Sequence, residues 1–211
     1  MNLYSRAVSA ALAAACFLAA SAGCRKNHPE ALLVGYDTSR SVKSRRGVFL
    51  SMTAHLPALL DPATDSLTLY RVDCETQEFY DKAPPSSGEA LQELLLTEIE
   101  RPIRRDGTYP ALFFREAARR AEIAGEPVIV IYCSDGDNDD MSAASDEAIR
   151  QAAQKLAANR LVRLVAMYAV SPCNRAALHA RFDCLGGRLK ILGPDDTDTA
   201  DITRAIEEAH R

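Results

Sequence analysis

Residues 31–41 read ALLVGYDTSRS, an apolar run from Ala31 to Tyr36 followed at once by Asp37, Ser39 and Ser41. A continuous apolar run of this length predicts a strand buried on both faces of a parallel sheet. Open α/β sheets bind ligands just outside the carboxyl ends of their strands. The residues after Tyr36 are therefore where chemistry is expected, and they offer one carboxylate and two hydroxyls.

The rest of the chain repeats that logic. A helical pattern follows in Val48, Phe49, Met52, Leu56, Leu59 and Leu60, then Ser66–Val72 alternates as a strand with Glu78–Lys82 as a short edge partner. Pro84-Pro85-Ser86-Ser87-Gly88 reads as a loop, and residues 89–100 and 110–124 as helices, with a break at Pro102. Val128–Cys133 (VIVIYC) is a second buried strand, Ser145–Asn159 an Ala-rich helix and Leu161–Val170 a third buried strand. Asn174–Phe182 reads as helix, Arg188–Leu192 as strand and Asp198–His210 as a closing amphipathic helix. This alternation predicts an α/β fold, Rossmann-like, with an open, mostly parallel central sheet flanked by helices on both faces.

Val128–Cys133 ends in Ser134-Asp135-Gly136-Asp137, and Asp106-Gly107-Thr108 precedes the helix at 110–124. Short oxygen-bearing side chains gathered at one sheet edge are the ligand set of a hard divalent cation. Asp37-x-Ser39-x-Ser41, then Thr108 before a helix, then Asp135 after a buried strand together resemble the metal-ion-dependent adhesion site (MIDAS) of von Willebrand factor A (vWA) domains. The resemblance spans residues 31–211 and fills all five motif positions. It implies that Asp37, Ser39, Ser41, Thr108 and Asp135 hold Mg²⁺, with Mn²⁺ or Ca²⁺ as alternatives. The hydroxyls would bind directly, at least one Asp through water, and a protein partner would offer a carboxylate to the open position. A plainer reading makes Ser39, Ser41 and Thr108 helix caps, a role Ser and Thr often fill.

Residues 1–23 form an expected signal peptide: Arg6 precedes an apolar run from Ala7 to Ala20, with small residues after it. Ser21-Ala22-Gly23-Cys24 resembles a bacterial lipobox, although that pattern usually opens on an aliphatic residue where Ser21 stands. It implies lipidation of Cys24, a short tether over 24–30 and anchorage to a bacterial membrane within the cell envelope. Ala20-Ser21-Ala22 offers an ordinary cleavage site that would leave Cys24 unmodified. Cys74, Cys133, Cys173 and Cys184 are compatible with two disulfides in an exported chain. Cys173 and Cys184 flank a helix, so pairing is expected among Cys74, Cys133 and Cys173.

The 211 residues carry 25 Lys+Arg against 29 Asp+Glu, a net charge of −4, so no overall basic footprint suggests nucleic acid. At 47% apolar and 26% charged the composition is that of a globular domain rather than a disordered chain. Asp135 to Asp140, with Asp146, resemble an EF-hand calcium loop only faintly, lacking its Gly and Glu. Arg40, Lys43, Arg45, Arg46, Arg104 and Arg105 are candidates to rim the site and steer acidic ligands. His28 lies in the tether, and His55, His179 and His210 fall in helical segments. No nucleophile elbow, phosphate-binding loop or zinc-type His pair is present, so the expectation is a binding protein and not an enzyme. The alternatives are a metal-independent envelope scaffold and, behind it, a metal-dependent hydrolase.

Overall fold

The structure is a computed structural model that describes residues 30–101, 107–140, 142–193 and 199–209. The signal segment, Cys24, the tether up to residue 29, Pro102, Arg104, Arg105, Asp106 and His210 lie outside the described residues.

The apolar run becomes β1 (Ala31–Asp37), buried at every position. In chain order there follow α1 (Arg46–Leu59), β2 (Ser66–Val72), β3 (Thr76–Lys82), α2 (Gly88–Glu100), α3 (Pro110–Ile123) and β4 (Val128–Cys133). The chain then forms α4 (Ala143–Ala158), β5 (Val162–Tyr168), α5 (Pro172–Phe182), β6 (Leu189–Ile191) and α6 (Thr199–Ala209). One six-stranded sheet has the order β3-β2-β1-β4-β5-β6. All neighbours are parallel except β2 and β3, which form the edge hairpin.

Strand alternation sorts the apolar side chains into two layers. Leu33, Val130 and Val165 face α3, α4 and α5 through Phe113, Phe114, Ile149, Leu156 and Phe182. Leu32, Val34, Ile131 and Ala166 face α1, α2 and α6 through Phe49, Met52, Leu91, Leu95, Ile202 and Ile206. Burying both faces explains why β1, β4 and most of β5 carry no alternating polar positions.

Two details depart from expectation. The third buried strand is shorter than Leu161–Val170 because Ala169 turns into positive φ (66°). Ala169 and Val170 stay buried, and an apolar run cannot distinguish a buried turn from more strand. No disulfide joins Cys74, Cys133, Cys173 and Cys184. Cys74 lies in the turn after β2 and buried Cys133 ends β4, with β1 between those two strands. Two strand spacings are about 9–10 Å, beyond the reach of a bridge. Cys173 and Cys184 are exposed near opposite ends of α5.

Candidate metal centre

Sheet register assembles the centre. Tyr36 pairs with Cys133, so Asp37 emerges beside Ser134, where each strand ends. The Ser134 hydroxyl donates to Asp37 Oδ2 at 2.7 Å and accepts the Gly136 N–H at 3.0 Å. Asp37 Oδ1 accepts the Ser39 N–H at 2.9 Å, which folds the loop back over its own carboxylate. The Ser39 and Ser41 hydroxyl oxygens lie 3.0 Å apart.

Thr108 comes from the segment that leads into α3. Its hydroxyl lies 3.2 Å and 3.3 Å from the two Asp37 oxygens. Its backbone is clamped by its neighbours: the Thr108 N–H donates to Asp139 Oδ2 at 2.6 Å, and the Asp139 N–H donates to Thr108 O at 3.1 Å. Tyr109 N–H completes the clamp on Asp73 O at 2.9 Å. Asp135 Oδ1 accepts the Asp137 N–H at 3.1 Å, and its main-chain oxygen accepts from Ser171 and Asn174.

All five sequence-predicted residues therefore meet at one sheet edge. None of the three hydroxyl residues caps a helix, since Arg45 precedes α1 and Tyr109 precedes α3 without side-chain capping bonds. Asp37, Ser39, Thr108 and Asp135 are buried, whereas Ser41 is exposed at the mouth. Ser134 and Asp139 escaped the sequence reading because their work is to hold Asp37 and Thr108. The order of strand ends alone could have shown that Ser134 adjoins Asp37.

Burial pushes the Asp37 carboxyl up to about 6, against the pull of hydrogen bonds from Ser39 and Ser134 and with the Asp135 charge adding to the rise. Among the described residues no Lys, Arg or His pairs with Asp37 or Asp135. Buried beside Asp135 without a cation, the Asp37 carboxylate carries a desolvation cost that its hydrogen bonds offset only in part. A hard divalent ion would offset it, and the donor set of two carboxylates and three hydroxyls fits one. Among the described residues no three His, Cys, Asp or Glu side chains cluster as a metal site.

The remaining candidates fall elsewhere. Asp146 sits in the first turn of α4 and pairs with Arg181 at 2.7 Å, so no calcium loop forms with Asp135. His55 and His179 are exposed on α1 and α5. Of the basic rim, Arg40 and Lys43 are exposed while Arg45 and Arg46 are half-buried.

Gly136 allows the chain to leave Asp135. Its φ is +85°, and a Cβ there would come within 2.9 Å of Leu178 Cδ1 and 3.1 Å of Asn174 Cβ. Gly136→Ala is expected to destabilise the protein by about 2 kcal/mol, from left-handed backbone plus crowding. Chemical denaturation checks this, as an unchanged midpoint would show that the turn relaxes freely.

No protein-family profile matches the chain, and no curated protein matches it in sequence. Solved structures do match. The PilB minor pilin from Streptococcus sanguinis aligns with a TM-score of 0.59 at 12% identity, over 89% of this chain and 61% of that one. A von Willebrand factor type A protein from Catenulispora acidiphila gives 0.58 at 17% identity, over 87% and 42%. An aerotolerance-related membrane protein from Bacteroides fragilis gives 0.59 at 12% identity, over 84% and 98%. The chain spans less than two thirds of the length of the first two of these. It has the vWA-type fold, a six-stranded, mostly parallel sheet between two helical layers.

Proposed function

We propose that this chain is an exported, lipid-anchored interaction protein that captures a protein partner through a divalent cation at Asp37, Ser39, Ser41, Thr108 and Asp135. The observation carrying this reading is that the Thr108 hydroxyl and the Ser39–Ser41 loop both close on Asp37, a buried carboxylate near Asp135 and without a cationic partner among the described residues. A cation bound there supplies an electropositive point with an open position for a partner's carboxylate. The chain's part is to keep the donors in place: Ser134 and the Ser39 N–H hold Asp37, and Asp139 holds Thr108. Exposed Ser41 marks the side from which a partner approaches. The pilus adhesin SpaC from Lactobacillus rhamnosus GG shares the fold, with a TM-score of 0.60 at 10% identity over 88% of this chain and 30% of that one, which is consistent with an interaction role. Lipidation at Cys24 would place the domain at a bacterial membrane surface, since two or more acyl chains anchor stably where one does not.

A second reading, a scaffold that needs no metal, draws on the same hydrogen bonds. Asp37 already accepts from Ser39, Thr108 and Ser134, so part of its need is met internally. Capture of envelope partners with and without a chelator, alongside Thr108→Ala, separates the two. The adhesion reading expects capture to fall at least tenfold with either change. Capture indifferent to both would leave the scaffold.

A further inference from the structure

The turn between β5 and α5 contributes no oxygen to the candidate centre, yet two of the three segments that carry ligands are tied to it. Arg45, four residues past Ser41, reaches across the end of β4. Its Nη1 donates to Ala169 O, and its Nη2 donates to Ser171 Oγ at 2.7 Å. The same turn holds the loop after β4, because Ser171 N–H donates to Asp135 O at 2.8 Å. Asn174 Nδ2 adds a second bond to that oxygen at 3.1 Å. The turn is itself fixed to the sheet by Val170 N–H on Leu192 O at 2.9 Å.

Ala169 is fully buried and, among the described residues, alone among non-glycines in having positive φ, at 66°. A buried alanine keeps that conformation only where its surroundings over-determine it. The fork of Arg45 on its carbonyl is one such determinant, and a planar guanidinium is suited to two fixed acceptors.

The geometry points to Arg45 as a positioning residue of the metal centre, clasping the Ser39–Ser41 loop to the turn that also holds Asp135. This inference rests on the proposed cation site, and the sign of its effect is diagnostic. Removing a positive charge near a cation site should, by Coulomb's law alone, tighten cation binding. Removing a clasp should loosen it. The loss should be greater for Mg²⁺, which demands near-octahedral geometry, than for Ca²⁺, which tolerates irregular sites.

The test titrates the full chain and its Arg45→Met and Arg45→Lys variants with Mg²⁺ and Ca²⁺, and follows amide hydrogen exchange without metal. Arg45→Met is expected to bind Mg²⁺ about tenfold more weakly, with a smaller loss for Ca²⁺, and Arg45→Lys to recover only part. A variant that merely lowers the melting temperature would keep the Mg²⁺-to-Ca²⁺ ratio. Unchanged or tighter Mg²⁺ binding in Arg45→Met overturns the clasp. Should the wild type bind neither ion, the cation reading falls, and exchange decides the clasp independently. Faster exchange across residues 38–46 in Arg45→Met sustains it, and unchanged protection overturns it.

Discussion

Asp37→Asn is expected to melt above the wild type at pH 7.5 when divalent cations are absent, and below it when they are saturating. The carboxyl group titrates at about 6 in the fold against an ordinary value of 3.8, chiefly because it is buried. Below about pH 3 it is protonated in both folded and unfolded chains and has no differential effect. Between pH 3.8 and about 6 the unfolded chain gives up this proton while the folded chain keeps it, so stability falls across that window and levels off once the folded group also ionises. By pH 7.5 that loss is complete and on the order of 3 kcal/mol. The neutral amide avoids it, which in a domain of this size corresponds to about 5–10 °C. The metal-free wild type should correspondingly lose stability between pH 4 and 7 more steeply than Asp37→Asn. Cation at a hundredfold its dissociation constant would restore about 2.7 kcal/mol to the wild type, and nothing to a variant that cannot hold it. Thermal melts of both proteins with and without Mg²⁺ provide the check. A variant that melts lower under every condition would mean that the Asp37 charge is already compensated within the protein.

The other large effect is expected at Gly35. A Cβ at this position would fall 2.7–2.9 Å from three atoms of the Phe113 ring. That ring has nowhere to go. It is fully buried, stacked on Tyr132 at 5.3 Å and edge-on to Tyr70 at 5.8 Å and Phe114 at 5.3 Å. Gly35→Val forces either the ring or α3 outward, and overpacking of this kind costs about 1–3 kcal/mol, occasionally more. The consequence reaches the centre, because α3 begins two residues after Thr108 and Gly35 lies two before Asp37. Gly35→Val is therefore expected to lower stability and also to weaken Mg²⁺ binding in the fraction that remains folded. Urea denaturation and titration at low temperature read the two effects separately. Loss of stability with wild-type affinity would show that Phe113 supports the core without fixing Thr108.

The fold was legible because its evidence is periodic. The runs at Ala31–Tyr36 and Val128–Cys133 have no polar alternation, which only two covered faces allow, and the strands lie where those runs are. The five candidate donors were legible because each follows a strand or precedes a helix, and the fold brings those ends to one edge. What lay hidden was anything set by adjacency across the sheet. Ser134 meets Asp37 through the β1–β4 register, and Asp139 meets Thr108 across 31 residues, neither of which leaves a spacing to read. Arg45 looked like one more arginine on a basic rim, whereas its guanidinium turns inward to a carbonyl 124 residues away. The cysteines misled for the opposite reason. Their strand-end positions suggested proximity, but β1 intervenes between the strands that lead to Cys74 and Cys133.

The proposed function stands or falls on whether the edge formed by Asp37, Ser39, Ser41, Thr108 and Asp135 holds a divalent cation. Calorimetric titration of the purified protein with Mg²⁺ and Mn²⁺, run in parallel on Asp37→Ala, tests it most directly. Saturable binding of one ion per chain, lost in Asp37→Ala, is the expected result. Absence of binding in the wild type, or binding retained in Asp37→Ala, would contradict it.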